Sequence, residues 1–470
     1  MSQNFLACDR NQPFLLPPDV REWLPEEHLA WFVIDAVGVM DTSPFYAAYR
    51  EDGHGRAAYE PSMMIALLLY CWSRGVRSSR AIERACVEDV ACRVIAAHQH
   101  PDHATIARFV ERHERALGDL FGEVLALCAD AGLATVGVIA IDGTKVCANA
   151  SRDRTMTYEQ LARTIIDEAI TTDAAETAQH GERRGDELPD IVATTHGRQG
   201  WLRAARQRLD QQRARRGEPI PRSRRERLLE AKRRLEEDHQ VHLEANTAYE
   251  DYRRNGRMKN GRRLGAHSPP KRYEPPETPT GKVNLTDPDS KLVHGMRGWI
   301  QGYNAQTVCN ERYLIVAAEI TTASPDFGHL GPMLTAARRE LNAAGVNNQP
   351  GVVVADAGYW HLEQMNEITG QGIPVLIPPD SSRRRNKPTR PGWNGGAYDF
   401  MRSVLSTEHG AALYKQRAQL IEPIFGDTKH NRGFTRFARR GRSAARTEWR
   451  LMATTHNLLK LHQHFIAAEG

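Results

Sequence analysis

Two aspartates in this chain close apolar, β-branched runs: Asp142 ends "VGVIAID" and Asp356 ends "GVVVAD". An acid carried by a buried strand faces the crevice at the strand's carboxyl end, where α/β sheets place their chemistry. Two bare carboxylates brought together repel, and one takes up a proton. A divalent cation removes the conflict, since Mg²⁺ takes hard oxygen ligands, usually one or two carboxylates with substrate phosphate and water. Glu422, in "YKQRAQLIEPIFGDTKHNRGF", is the candidate third acid. At about 100° per residue, Tyr414, Glu422 and Lys429 share one helix face, with Arg417 just outside it. That face offers a metal ligand, an ammonium that reaches phosphate and an aromatic hydroxyl. Pro423 is expected to kink this helix or begin a new segment.

The charge pattern asks for a phosphate partner too. The formal net charge of +5 is unevenly spread: residues 201–272 hold 21 Lys and Arg against 10 Asp and Glu, and residues 411–470 hold 11 against 4. Clustered cations are the footprint of a polyanion, most commonly nucleic acid. Arg222, Arg224, Arg225 and Arg227 in the first run, and Arg432 and Arg436 in the second, are the DNA-contact candidates. The alternative for the first run is an exposed helical hairpin whose arginines pair with its own glutamates or with the acidic stretch Asp167 to Asp190.

The elements that must position these residues follow from periodicity. Residues 1–132 read as an all-α N-terminal domain. Pro61 opens one helix and Gly75 stops it, Ser78 or Ser79 caps the next, and a third, long helix starts near Asp102 and closes at Gly132. Short helices with tight turns suit a helix-turn-helix DNA module. From Val136 the pattern turns to strands ("VGVIAID", "TKVCANA", "WIQGYNAQTVCN", "RYLIVAAEITTA"), then to a helix, two buried strands and the Glu422 helix. This gives an α/β mixed sheet with flanking helices over residues 133–150 and 296–465. Residues 151–295 form a charged, largely helical insertion, too long for a simple loop. No run reaches a membrane span and the first residues lack a signal-peptide pattern, so a cytoplasmic protein is expected. Seven cysteines without a C-x-x-C pair read as reduced thiols.

"AIDGTK", "VVADAGY" and "YKQRAQLIEPIFGDTKHNRGF" resemble the DDE transposases of bacterial insertion sequences. "PDHATIARF", "NLTDPDSKLV" and "WIQGYNAQ" are similar to segments of the insertion-sequence 1182 group. The resemblance implies a ribonuclease H-like catalytic domain with Asp142, Asp356 and Glu422 as a triad holding two Mg²⁺ or Mn²⁺ ions. It implies Tyr414, Arg417 and Lys429 as a Tyr-Arg-Glu-Lys signature whose basic members touch phosphates near the cut end. Four residues separate Arg417 from Glu422, where many relatives have three, which puts the role of Arg417 in question. Implied partners are double-stranded DNA, as terminal inverted repeats and target, and a second subunit; the implied location is the nucleoid. Rivals are a nuclease of the same fold that never joins ends, and a DNA-binding regulator without catalysis. A haloacid dehalogenase reading of "DGT" fails because Ala140 stands where its nucleophile belongs.

Other residues have plainer readings. His98, His100 and His103 suggest a zinc site, but without nearby Cys a loop with Asp102 as helix cap is expected. Asp287 and Asp289 read as a turn before they read as ligands. Trp299 and Tyr303 are assigned to the sheet core ahead of stacking on a DNA base.

Overall fold

The computed structural model describes residues 20–49, 58–173, 205, 208–209, 212–213, 220–221, 223–255, 276–295, 298–380 and 393–469. Arg222, most of the acidic stretch after Asp167 and most of the Pro-rich segment before residue 276 lie outside them.

Seven helices come first: α1 (Leu29–Val39), α2 (Ser43–Tyr46), α3 (Pro61–Ser73), α4 (Ser79–Glu88), α5 (Val90–Ile95), α6 (His103–Arg112) and α7 (Glu114–Asp130). Their starts are written in side chains. Pro61 is the first residue of α3, and Ser78 accepts the Ala81 N–H at 3.2 Å to cap α4. Asp102 accepts from Thr105 N at 2.7 Å to cap α6, as expected of it. Gly75 (φ +78) and Gly132 (φ +73) end α3 and α7 in left-handed conformations. Two of the expected helices are each divided. Asp89 turns extended and accepts from Cys92 N at 2.9 Å, so it ends α4 and caps α5; the chain breaks again at His113.

The main sheet runs in the order β4-β5-β1-β7-β8, with β6 also on β5. Its strands are β1 (Val138–Cys147), β4 (Lys291–Gly295), β5 (Gly298–Asn310), β6 (Ile315–Thr321), β7 (Val352–Ala355) and β8 (Val375–Leu376). β1 is antiparallel to β5 and parallel to β7. Ile139, Ala140, Ile141, Val353, Val354 and Ala355 are all 0% exposed, which is why both runs are continuously apolar. The stretches on either side of Asp142 form one strand of ten residues, not two. β7 stops opposite Ile141, so beyond that residue β1 keeps a neighbour only on its β5 side.

β4 belongs to this sheet, so the insertion closes before Lys291 rather than at residue 295. Its neck is a two-stranded sheet of β2 (Thr155–Thr157) and β3 (Lys282–Asn284). Within it α8 (Tyr158–Asp173) packs against α9 (Arg224–Asn255) around Leu161, Leu228, Ala231, Leu235 and Val283. After the sheet's crossover helices α10 (Leu330–Ala343) and α11 (Leu362–Gly370) come α12 (Gly396–Ser406), α13 (Glu408–Gly426) and α14 (Arg442–Glu469). α14 lies on β6 and against α3 and α7. One apolar core therefore runs from Ala30 through the sheet to Leu461, and the N-terminal helices share it.

Candidate active site

Ile141 and Ala355 are partners in the parallel register, so Asp142 and Asp356 follow side by side on adjacent strands. Backbone donors orient both acids: Gly143 N–H donates to Asp142 Oδ1 at 2.7 Å and Gly358 N–H to Asp356 Oδ1 at 2.8 Å. Asp142 keeps only 16% of its side chain exposed. Burial, with Asp356 beside it, pushes its carboxyl up to about 7 against the pull of Arg417 and the Gly143 N–H. Burial likewise raises Asp356.

α13 packs across β1, β5 and β7 and brings Glu422 to the same end. Arg417 stands between the acids, donating to Asp142 Oδ2 at 2.8 Å and to Glu422 Oε1 at 3.4 Å. Burial opposes its charge, but Asp142, Tyr414, Asp356 and Glu422 together hold the guanidinium above its ordinary value. Glu422 is 63% exposed. α13 runs through Pro423, which therefore does not begin a new segment, and continues as a π-helical turn, Asp427–Asn431. Proline removes one N–H from the ladder, and the chain relaxes one turn later into the wider helix often found at functional sites. That turn places Lys429, whose Nζ donates to Lys145 O at 3.1 Å; burial lowers its pKa. Burial raises the Tyr414 hydroxyl.

Sequence reasoning missed a second set of groups. Asp326, in the loop after β6, accepts from Lys145 Nζ at 3.1 Å, Asn304 Nδ2 at 2.8 Å and Gln306 Nε2 at 2.8 Å, all on Oδ1. Tyr359 O–H donates to Gln306 Oε1, and Trp449 Nε1 donates to Gln306 O at 3.0 Å. Asn304 is 0% exposed, yet its Oδ1 has no hydrogen-bond partner. The legible signal was polar Asn304 and Gln306 at alternate positions of a strand that is buried from Gln301 to Asn310. Gly143 leaves room for these side chains, not for DNA: a Cβ there would meet Gln306 Nε2, with Asp326 Oδ1 at 2.6 Å and Asn304 Oδ1 at 2.7 Å.

The remaining candidates scatter. Arg432, expected on a DNA surface, is 6% exposed and donates to Trp72 O at 3.1 Å and to Thr455 Oγ1, tying α3 to α14. Arg436, Arg224 and Arg225 are exposed, while Arg227 is half-buried and donates to Ser223 O at 3.3 Å. Asp287 accepts from Tyr303 O–H at 2.8 Å inside the core, and Asp289 pairs with Arg234. Tyr303 is core, as expected; Trp299 is not, being 56% exposed beside His294. His103 pairs with Glu83 at 2.9 Å and His98 packs edge-on to Trp23. Among the described residues no three His, Cys, Asp or Glu side chains gather closely enough to hold a metal ion, and Arg417 occupies the space between Asp142 and Glu422.

A mixed sheet that sets one acid within β1 beside another just past the end of parallel β7, under a basic helix with a third acid, is consistent with a ribonuclease H-like DDE domain. Residues 277–458 match the family described as Transposase DDE domain, and residues 18–112 match Transposase domain (DUF772). Two stretches of the chain thus match transposase domains. The DDE match covers Asp356 and Glu422 but not β1, which the insertion separates in sequence and β7 recovers in space. No curated protein and no solved structure matches the chain.

Proposed function

We propose that the chain binds the terminal repeats of its own insertion sequence, of the 1182 group, frees their 3′ ends and joins them to target DNA. Asp142, Asp356 and Glu422 are its catalytic acids. The observation that supports this best is the β1–β7 register, which sets two half-buried acids next to each other. The donor set suits a hard cation: it is all oxygen, and burial with Asp356 alongside disfavours a bare carboxylate at Asp142. Those three residues would hold Mg²⁺, or Mn²⁺ in its place, two ions in all, once Arg417 leaves the space between Asp142 and Glu422. Bound there, the ions would supply an activated attacking oxygen and charge to stabilise the leaving one.

The chain's own groups account for the rest. The N–H groups of Gly143 and Gly358 fix which carboxylate oxygens turn inward. Arg417 favours the ionised form of Asp142 without overcoming its burial, and with Tyr414 and Lys429 lies where a DNA phosphate would approach. Arg436 and the arginines at 222, 224, 225 and 227 would hold flanking duplex, and exposed Trp299 is available to stack on a base. Arg432 is left out because it is buried. No helix among the described residues is long and apolar enough to cross a membrane. The active complex is a homodimer working in the cytoplasm at the nucleoid.

The test is to incubate purified protein with its flanking genomic DNA, a target plasmid and Mg²⁺. Nicks at the element's 3′ ends and joined products are expected. Cutting without joined products would reduce the protein to a nuclease, and no cutting with either Mg²⁺ or Mn²⁺ would overturn the reading.

A further inference from the structure

Away from the acids, where the N-terminal helices, the insertion and the start of α14 meet, lies a cleft of about 930 Å³. Its floor is apolar, with Leu68, Trp72, Ile82 and Ile106, and eight Lys and Arg line it against four Asp and Glu. Some of these charges are spent: Arg213 pairs with Glu237 and Asp238, Arg234 with Glu230 and Asp289, and Arg439 with Glu114. Arg227 and Arg440 form no ion pair with a carboxylate among the described residues, and Arg77 has only the attraction of Glu448 without an ion-pair contact. Arg77 donates to the carbonyls of Arg436 and Gly433, Arg227 to Ser223 O and Arg440 to Asn149 O. Arg439 Nη1 is buried with no hydrogen-bond partner. The first turns of α4 and α14 also open into the cleft, at Ser78 and Gly441, adding the partial positive charge of two helix N-termini.

We propose that this cleft takes the sugar–phosphate backbone of the DNA flanking the cut, gripped by Arg77, Arg227 and Arg440. The inference rests on the DNA-cutting role proposed above and adds a second contact region to it. Asn149 lines the cleft and follows Asp142 by seven residues, so the two regions are at most about 25 Å apart along the chain. At ~3.4 Å per base pair the grip falls within roughly seven base pairs of the cleavage point. Residues of both transposase-domain matches line the cleft, so one DNA segment lying there would touch both.

The experiment uses the full chain and a labelled duplex of the element end. Arg77 is left in place because its guanidinium holds backbone carbonyls. The double variant Arg227→Gln, Arg440→Gln should bind about tenfold more weakly or worse, with a log–log salt slope shallower by roughly 2, about 0.9 for each phosphate no longer neutralised. Unchanged affinity and slope in the double variant, while the wild-type chain binds and cuts, overturns the cleft assignment and leaves the catalytic reading standing. A wild-type chain that neither binds nor cuts overturns that reading and the assignment with it. Should the double variant misfold, a photo-crosslinking amino acid at Val110, on the cleft wall, decides. Crosslinks within about seven base pairs of the cut support the grip. Their absence, while the same probe at Arg436 crosslinks, overturns it.

Discussion

Asp142 and Glu422 have the same chemistry and opposite surroundings, at 16% and 63% side-chain exposure, with Arg417 joining them. Replacing a carboxylate by its amide removes the ligating charge and keeps the shape. Asp142→Asn, Asp356→Asn and Glu422→Gln should therefore each lower cleavage by more than about a hundredfold while DNA binding and the melting temperature hold. Near-normal cleavage by any one of them, in a gel assay with Mg²⁺, removes that residue from the centre. Gly143→Ala tests the packing behind the acids. Its methyl would press on Gln306, Asp326 and Asn304, and overpacking of this kind costs about 1–3 kcal/mol, read from a denaturant midpoint. A neutral result would mean the network behind β1 gives way easily. The two aspartates were legible because a charge that ends an apolar run sits where burial would otherwise penalise it. Asp326 was not, because "TASPDFGHL" reads as an ordinary polar turn and its partners come from β1 and β5, far away in sequence.

Among the elements, type was legible and extent was not. The 3.6 and 2.0 periodicities located the helices and strands, but Asp89 and His113 divided helices whose apolar pattern continues past them. The period along β1 carries no mark of where β7 stops, so Asp142 looked like a strand end when it is a mid-strand residue losing one neighbour. α14 is positioned by polar groups that periodicity ignores. Asn457 accepts from Ile315 N at 2.9 Å and donates to Ile315 O at 2.7 Å, mimicking a strand partner for β6. Next to it in the chain, His456 Nε2 donates to Tyr313 O at 2.9 Å. Burial depresses the His456 imidazole to about 4 from an ordinary 6.5. A histidine with a lowered folded-state pKa contributes stability that is present above the unfolded value and lost as pH falls toward the folded one. Stability should therefore decline between about pH 6.5 and pH 4 by up to ~3 kcal/mol from this residue. His456→Gln should remove that part of the slope in urea titrations run across the window; an unchanged slope would show that other groups govern the acid limb.

For the molecule as a whole, charge clustering pointed to DNA, but sequence alone did not separate arginines that face solvent from those that hold the insertion together. α9 contains both kinds. Lys232, Arg233 and Arg234 pair with Glu230, Glu236 and Glu237 on their own helix, and Arg234 also reaches Asp289 on the far side of the insertion's neck. Part of the run is thus the self-paired hairpin that was the plainer reading. Arg224 and Arg225, at the start of α9, are exposed. The structure therefore predicts two distinct outcomes. Neutralising Arg222, Arg224 and Arg225 to Gln should weaken binding at every DNA sequence and flatten its salt dependence by up to about 0.9 per phosphate released, leaving unfolding unchanged. Arg234→Gln should leave the salt slope alone and instead cost about 1–3 kcal/mol, because half-buried Asp289 would lose its ion pair and keep only the Arg442 N–H. Anisotropy titrations over a salt series and denaturant unfolding on both variants decide the matter. If the triple variant keeps the wild-type slope but changes oligomer mass, those arginines join subunits and do not touch DNA.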